Sequence, residues 1–141
     1  MNSNITRLFV YGTLRRGFHN PAYKYISKHF VEVGEAQVKG KLYDLGEYPG
    51  AVATDEESFV KGELYELKEA GEFEWVIEQL DDYEGLNPEE GEAPLYKRQS
   101  VEVRFNDQRF QAWIYWYNGN ISENALIPSG DYFDSITTKS T

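Results

Sequence analysis

The most restrictive stretch of the chain is Leu8-Phe9-Val10-Tyr11, which runs straight into Gly12-Thr13-Leu14-Arg15-Arg16-Gly17. Four successive apolar residues without polar alternation predict a strand covered on both faces, not a half-exposed edge. The run stops at a glycine, which marks a sharp change of backbone direction or a close approach of backbone to a ligand. The N–H groups of Gly12, Thr13 and Leu14 follow in sequence, and successive amides in a turn can form a nest for an anion. Arg15 and Arg16 add positive charge just beyond it. On these residues alone the bend is either a cradle for a carboxylate or oxyanion, or a tight strand end.

The rest of the chain alternates between strand and helix patterns. Asn20-Pro21 reads as an N-cap with proline in the first helical position, and Ala22, Ile26 and Phe30 form one apolar stripe of a helix over about 21–30, with Lys24, Ser27 and Lys28 toward water. From Glu35 the period becomes two: Ala36, Val38, Gly40 and Leu42 predict one face of a strand. Tyr48-Pro49-Gly50 is a turn signal and Ala51-Val52-Ala53 a short strand. Phe59 to Leu67 alternates again, with Val60, Gly62 and Leu64 on one face. Glycines at matching places in two strands predict a sheet that curls strongly, as a small barrel does. Tyr96–Phe105 and Arg109–Tyr117 are two further strands joined by Asn106-Asp107-Gln108. The second carries Phe110, Ala112, Ile114 and Trp116 on one side and Trp113, Tyr115 and Tyr117 on the other, which predicts a central position. Aromatic hydroxyls on one of its faces could line a pocket or simply belong to the core. Residues 127–132 read as a tail docked on the barrel. The whole is read as one domain spanning 1–141, with about 136–141 frayed.

Glu72 to Tyr83 is the clearest helix. Phe73, Val76, Ile77 and Leu80 share one face of a 3.6-residue period. Continuing the stripe by four from Leu80 lands on Glu84, which at about 100° per residue returns to within ~20° of Phe73. A carboxylate thus stands where an apolar residue is expected, while Asp81 and Asp82 are expected to face water. Gly85 ends the helix as a C′ residue. A carboxyl group turned inward is costly unless paired or used, and desolvation would raise its pKa toward values useful for proton transfer. The alternative is that the helix end frays and Glu84 turns into solvent.

Charge and composition exclude several functions. With 24 acidic against 14 basic residues the formal net charge is −10, which argues against a nucleic-acid-binding face and against an anionic membrane surface. There is no cysteine, so disulfides and thiolate chemistry are excluded. His19 and His29, ten residues apart, match no metal-ligand spacing, so no metal is expected; both are read as surface or capping residues. No apolar run approaches the ~20 residues of a membrane span, and Met1-Asn2-Ser3-Asn4 does not open a signal peptide. A cytoplasmic location is the resulting expectation.

Two motifs then combine. Val-Tyr-Gly-Thr-Leu-Arg-Arg-Gly stands near the start, and Leu-Asp-Asp-Tyr-Glu-Gly ends a helix before Leu-Tyr-Lys-Arg. Together with 48–52, 60–67, 112–117 and 129–132, in that order, they make the chain resemble the γ-glutamylcyclotransferase-like (AIG2-like) family. The resemblance implies an α+β fold: a small mixed β-barrel flanked by two or more short helices, with a cavity at one end. It implies that Tyr11, Gly12, Thr13 and Leu14 floor that cavity and bind substrate through backbone amides, and that Tyr96 and Tyr115 help wall it. Glu84 matches the family's essential acid/base, the residue that the helix pattern singles out independently. The implied activity is release of 5-oxoproline from a small-molecule γ-glutamyl amine or peptide, without cofactor. The alternative in the same fold is a non-catalytic module binding a small ligand. The segment 86–95 is longer and more acidic than the shortest family versions, which bears on the cavity mouth and on the leaving group.

Overall fold

A computed structural model of the chain describes residues 5–11, 21–45, 49–83, 96–119, 121 and 125–131. In chain order the elements are β1 (Arg7–Val10), α1 (Pro21–His29), β2 (Phe30–Asp44), β3 (Pro49–Ala53), β4 (Phe59–Leu67), α2 (Phe73–Tyr83, entered through a 3₁₀ turn at Ala70–Glu72), β5 (Tyr96–Phe105), β6 (Gln108–Tyr117) and β7 (Leu126–Ile127).

Five strands close a barrel. β1 runs antiparallel to β4, from Arg7 opposite Glu66 to Val10 opposite Glu63, and parallel to β6, with Leu8 beside Trp113. β4 pairs antiparallel with β2, β2 with β5 through Val38 and Val103, and β5 with β6 along their whole length. The far half of β2 extends past the barrel and carries β3 on one edge and β7 on the other, Leu42 facing Ala51 and Ile127. The 127–131 segment docks as expected, the Lys61 N–H donating to the Gly130 carbonyl.

The strand β1 explains this architecture. Phe9 and Tyr11 point into the barrel with Val38, Val60, Leu64, Val103, Ile114 and Trp116. Leu8 and Val10 point outward and are covered with Tyr65, Leu67 and Tyr115 by Ile26 of α1 and Val76, Ile77 and Leu80 of α2. The apolar run therefore has a partner on each face, as four unalternating residues require. β6 is two-sided for the same reason, Ala112, Ile114 and Trp116 facing the interior and Trp113, Tyr115 and Tyr117 the helices. The curl predicted from the glycines is also present. A Cβ on Gly62 would lie 2.1 Å from the Val10 carbonyl oxygen and 2.7 Å from Phe9 Cζ, so β1 and β4 approach there as only glycine allows.

Two local expectations change. β2 starts at Phe30, five residues before the alternation becomes legible. Val31 and Val33 are exposed, and a register shift between Glu32 and Gly34 breaks the two-residue period. The β5–β6 turn is two residues long, not three. Asn106 and Asp107 take φ of 50° and 63°, the left-handed pair of a tight hairpin, and Gln108 already pairs with Phe105. Residues 136–141 lie outside the described residues.

Candidate functional site

Tyr11, Tyr96 and Tyr115 all bond to elements at the barrel end where β1 finishes. The Tyr11 hydroxyl donates to the Tyr115 carbonyl (2.5 Å) and accepts from the Ala51 N–H (3.3 Å). The Tyr96 hydroxyl donates to the Pro49 carbonyl at 2.8 Å, and its ring meets that of Tyr117 edge-on at 5.7 Å. Two of these tyrosines therefore hold the short strand β3 by its backbone. A Cβ on Gly50 would stand 2.9 Å from Tyr117 Cβ, so β3 lies directly on the end of β6. Gly12, Thr13, Leu14 and Glu84, with Arg15, Arg16, His19 and the 86–95 segment, lie outside the described residues. Their neighbours in sequence, Tyr11 on one side and α2 on the other, are described.

The end of α2 corrects one expectation. Asp81 does not face water: its side chain is only 15% exposed and its carboxylate is clamped. Arg98 Nε donates to Oδ1 at 2.8 Å and the second guanidinium nitrogen to Oδ2 at 3.1 Å, the bidentate fork that fixes both partners. The Tyr115 hydroxyl donates to the same Oδ1 at 2.8 Å. The guanidinium lies 4.6 Å over the Trp113 ring. Burial works to lower the Arg98 pKa; the hydrogen bonds and charge of Asp81, with Tyr115, outweigh it and hold the group above its ordinary value.

Helical periodicity missed this clamp because it reads only one element. Asp81 borders the apolar stripe of α2, and its partner lies on β5. A signal was present in the other strand. Tyr96 and Arg98 are two apart and so share a face, and an arginine beside a buried tyrosine needs an acid opposite.

Glu63 is a second buried carboxylate, which the sequence pattern does not single out. It stands on the face of β4 opposite Val60 and Leu64. Here that face is covered by the helices, and Glu63 is fully buried, with the Tyr65 hydroxyl donating to it at 2.9 Å. It stands in register with Val10, at the end of β1.

The other polar features lie elsewhere. His29, expected at the surface or in a cap, is largely covered: its ring lies 4.6 Å from Tyr25 and 5.4 Å from Trp75, and Nδ1 is 3.8 Å from Glu72. It joins α1 to the start of α2. A groove of about 590 Å³ runs along α2 past Phe73, Ile77, Glu78, Asp81, Asp82 and Arg98. A basin of about 730 Å³ at the β5–β6 turn is lined by charges of both signs, among them Glu35, Lys61, Arg104 and Arg109. It includes none of the three tyrosines. Among the described residues no group of three or more His, Asp or Glu could hold a metal ion, and no described helix is long and apolar enough to cross a membrane.

Comparison with known proteins points the same way as the motifs. The family described as gamma-glutamyl cyclotransferase, AIG2-like, matches residues 8–134. A Vibrio cholerae relative, provisionally named a gamma-glutamylcyclotransferase, is 36% identical over 92% of this chain and 96% of its own. The gamma-L-glutamyl-butirosin B gamma-glutamyl cyclotransferase of Niallia circulans is 35% identical over 79% of this chain and 66% of its own. In fold, an AIG2-like protein from Mus musculus superposes with a TM-score of 0.63 at 24% identity, over 91% of this chain and 88% of that one.

Proposed function

The chain belongs to the gamma-glutamyl cyclotransferase, AIG2-like family, and from that premise we propose that it releases 5-oxoproline from a γ-glutamyl amine or peptide. The substrate's α-ammonium gives a proton to Glu84, because only the neutral amine is a nucleophile. The amine nitrogen attacks the γ-carbonyl carbon of the same molecule and closes a five-membered ring. The amide C–N bond then breaks as Glu84 returns its proton to the departing nitrogen, and the second proton of the new ring nitrogen passes to the released amine, which leaves as an ammonium. No water is consumed. Because nucleophile and electrophile share one molecule, most of the work is to hold the folded-back conformer, which can be worth up to ~7–11 kcal/mol in favourable cases.

In this reading the Gly12, Thr13 and Leu14 amides bind the substrate's α-carboxylate or the developing oxyanion, and Tyr11, Tyr96 and Tyr115 build the wall. The observation that supports it most is the double use of Tyr115. Its carbonyl holds Tyr11, the residue preceding Gly12, and its hydroxyl holds the carboxylate three positions before Glu84. The two stretches that the reaction needs together are flanked by groups tied to one residue.

The test is release of 5-oxoproline, followed by mass spectrometry, from a panel of γ-glutamyl amino acids, peptides and polyamines, gamma-L-glutamyl-butirosin B and Nε-γ-glutamyl-lysine. Gamma-L-glutamyl-butirosin B belongs in the panel because the name of the Niallia circulans relative specifies it. Wild-type protein is expected to turn over at least one class and Glu84→Gln to turn over none. An undiminished rate in Glu84→Gln would remove Glu84 from the mechanism.

A further inference from the structure

We propose that Asp81 is a positioning residue for the Glu84 acid/base: clamped by Arg98 and Tyr115, it holds the last turn of α2, which Glu84 directly follows in sequence. The inference rests on the role given to Glu84 above and adds to it a device made of other residues.

The argument begins with the helix end. The last carbonyls of a helix have no partners within it and carry the negative end of its dipole. Lysine, arginine or histidine there would offset that charge, and α2 has no basic residue in its last turn. It has Asp81 and Asp82 instead, which makes this the turn most ready to fray. Arg98 supplies the missing cation from β5, through two hydrogen bonds that fix angle as well as distance. The ring of Trp113 lies under the guanidinium. Tyr115 adds a third bond to the carboxylate from β6, and its backbone carbonyl takes the Tyr11 hydroxyl. The end of α2 and Tyr11, the residue before Gly12, thus belong to one hydrogen-bonded unit, and Glu84 follows Tyr83, the last residue of α2.

A clamp that only stabilised α2 would affect folding and leave the chemistry of the surviving folded protein alone. A positioning clamp affects the chemical step in protein that is still folded. Full-length Asp81→Asn, Tyr115→Phe and Glu84→Gln are compared with wild type for kcat, KM and the pH dependence of kcat, using a γ-glutamyl compound that wild type turns over. Amide hydrogen exchange at residues 82–85 is measured in parallel. For Asp81→Asn the expectation is a fall in kcat of about ten- to a hundredfold with KM changed less than about threefold, the size of effect that small misplacement of a reacting group produces. The acid limb of its kcat profile should move to lower pH, because the substitution removes a negative charge three residues before Glu84, and a like charge nearby disfavours the ionised carboxylate. Exchange at 82–85 should rise about tenfold or more while β1 and β4 keep their protection. Tyr115→Phe, which loses one hydroxyl, should show the same pattern more weakly and serves if Asp81→Asn does not fold. A folded Asp81→Asn with kcat and profile unchanged overturns the positioning role, even where Glu84→Gln is inactive. An active Glu84→Gln overturns instead the reading beneath it. If no compound is turned over, unchanged exchange at 82–85 in Asp81→Asn overturns the clamp by itself.

Discussion

The hydroxyl of Tyr115 lies 2.8 Å from Asp81 Oδ1, so a strand residue fixes a carboxylate on the helix that covers the barrel. The bond crosses from β6 to α2 inside an apolar layer, where Tyr115 is 3% exposed. Hydrogen bonds to a charged partner in such surroundings carry more than those between neutral groups. Replacing Tyr115 by phenylalanine keeps the ring and removes the hydroxyl that donates this bond. Asp81 retains Arg98, so the expected loss is about 1–2 kcal/mol, read as a lower urea midpoint at unchanged slope. A loss below about 0.3 kcal/mol would mean that the bond contributes nothing net.

Removing Arg98 should cost more. Arg98→Met leaves a carboxylate with one hydrogen bond at the negative end of a helix, and the expected cost is about 2–3 kcal/mol, below the full figure for a buried pair because both side chains retain some solvent. Its pH dependence has a definite sign. The folded-state pKa of Arg98 is raised above its ordinary value, although burial acts to lower it, because Asp81 and Tyr115 outweigh burial. A group with a raised pKa contributes stability that is fully present below its unfolded pKa and is lost only as pH rises through the folded one. For arginine both lie above the working range, so the stability difference between wild type and Arg98→Met should be flat from about pH 6 to about pH 9. A difference that shrinks steadily over that window would contradict the assignment.

Gly62 offers a steric test of how closely the barrel is drawn together. A methyl group there would meet the Val10 carbonyl oxygen at 2.1 Å, and a backbone oxygen cannot move without moving β1. Gly62→Ala should therefore destabilise by about 3 kcal/mol or prevent folding. Gly71, in the turn before α2, has nothing within 4 Å of the same position. Gly71→Ala is the control, expected to be neutral or stabilising by up to about 1 kcal/mol. Chemical denaturation of the two variants side by side checks both, and equal effects would mean that the β1–β4 approach is looser than described.

How far the fold can be read in advance depends on whether the information is local. β1 and β6 were legible because residues with no polar alternation state directly that both faces are covered. The apolar stripe of α2 was legible for the same reason, and so was the tail that docks near Gly130. The start of β2 was not, because Val31 and Val33 are exposed and a bulge between Glu32 and Gly34 shifts the phase. Asp81 was misplaced because its burial comes from other elements, Arg98 of β5 and Tyr115 of β6. Of the residues named for the site, Tyr96 and Tyr115 came from the family resemblance; strand periodicity alone leaves a buried tyrosine as core. Both hydroxyls turn out to hold other elements, Pro49 of β3 and Asp81 of α2.

Tyr11 makes the last prediction, because it belongs to the core and directly precedes Gly12 in sequence. Its ring lies in the barrel interior and its hydroxyl bridges the Tyr115 carbonyl and the Ala51 N–H. Tyr11→Phe leaves the packing intact and deprives a buried carbonyl and a buried amide of that partner. A cost of about 2–3 kcal/mol is expected, measured by urea denaturation. The loss also frees β3 from β1 one residue before Gly12. If the Gly12–Leu14 amides bind the substrate's α-carboxylate in the ground state, loosening their anchor should raise KM about tenfold, equivalent to ~1.4 kcal/mol of binding, with kcat little changed. If the same amides bind the oxyanion that forms during ring closure, kcat should fall and KM should hold, because the lost contact exists only in the transition state. The split between the two constants in this one variant decides between these two roles, and a folded Tyr11→Phe protein with both constants unchanged would show that neither role depends on Tyr11.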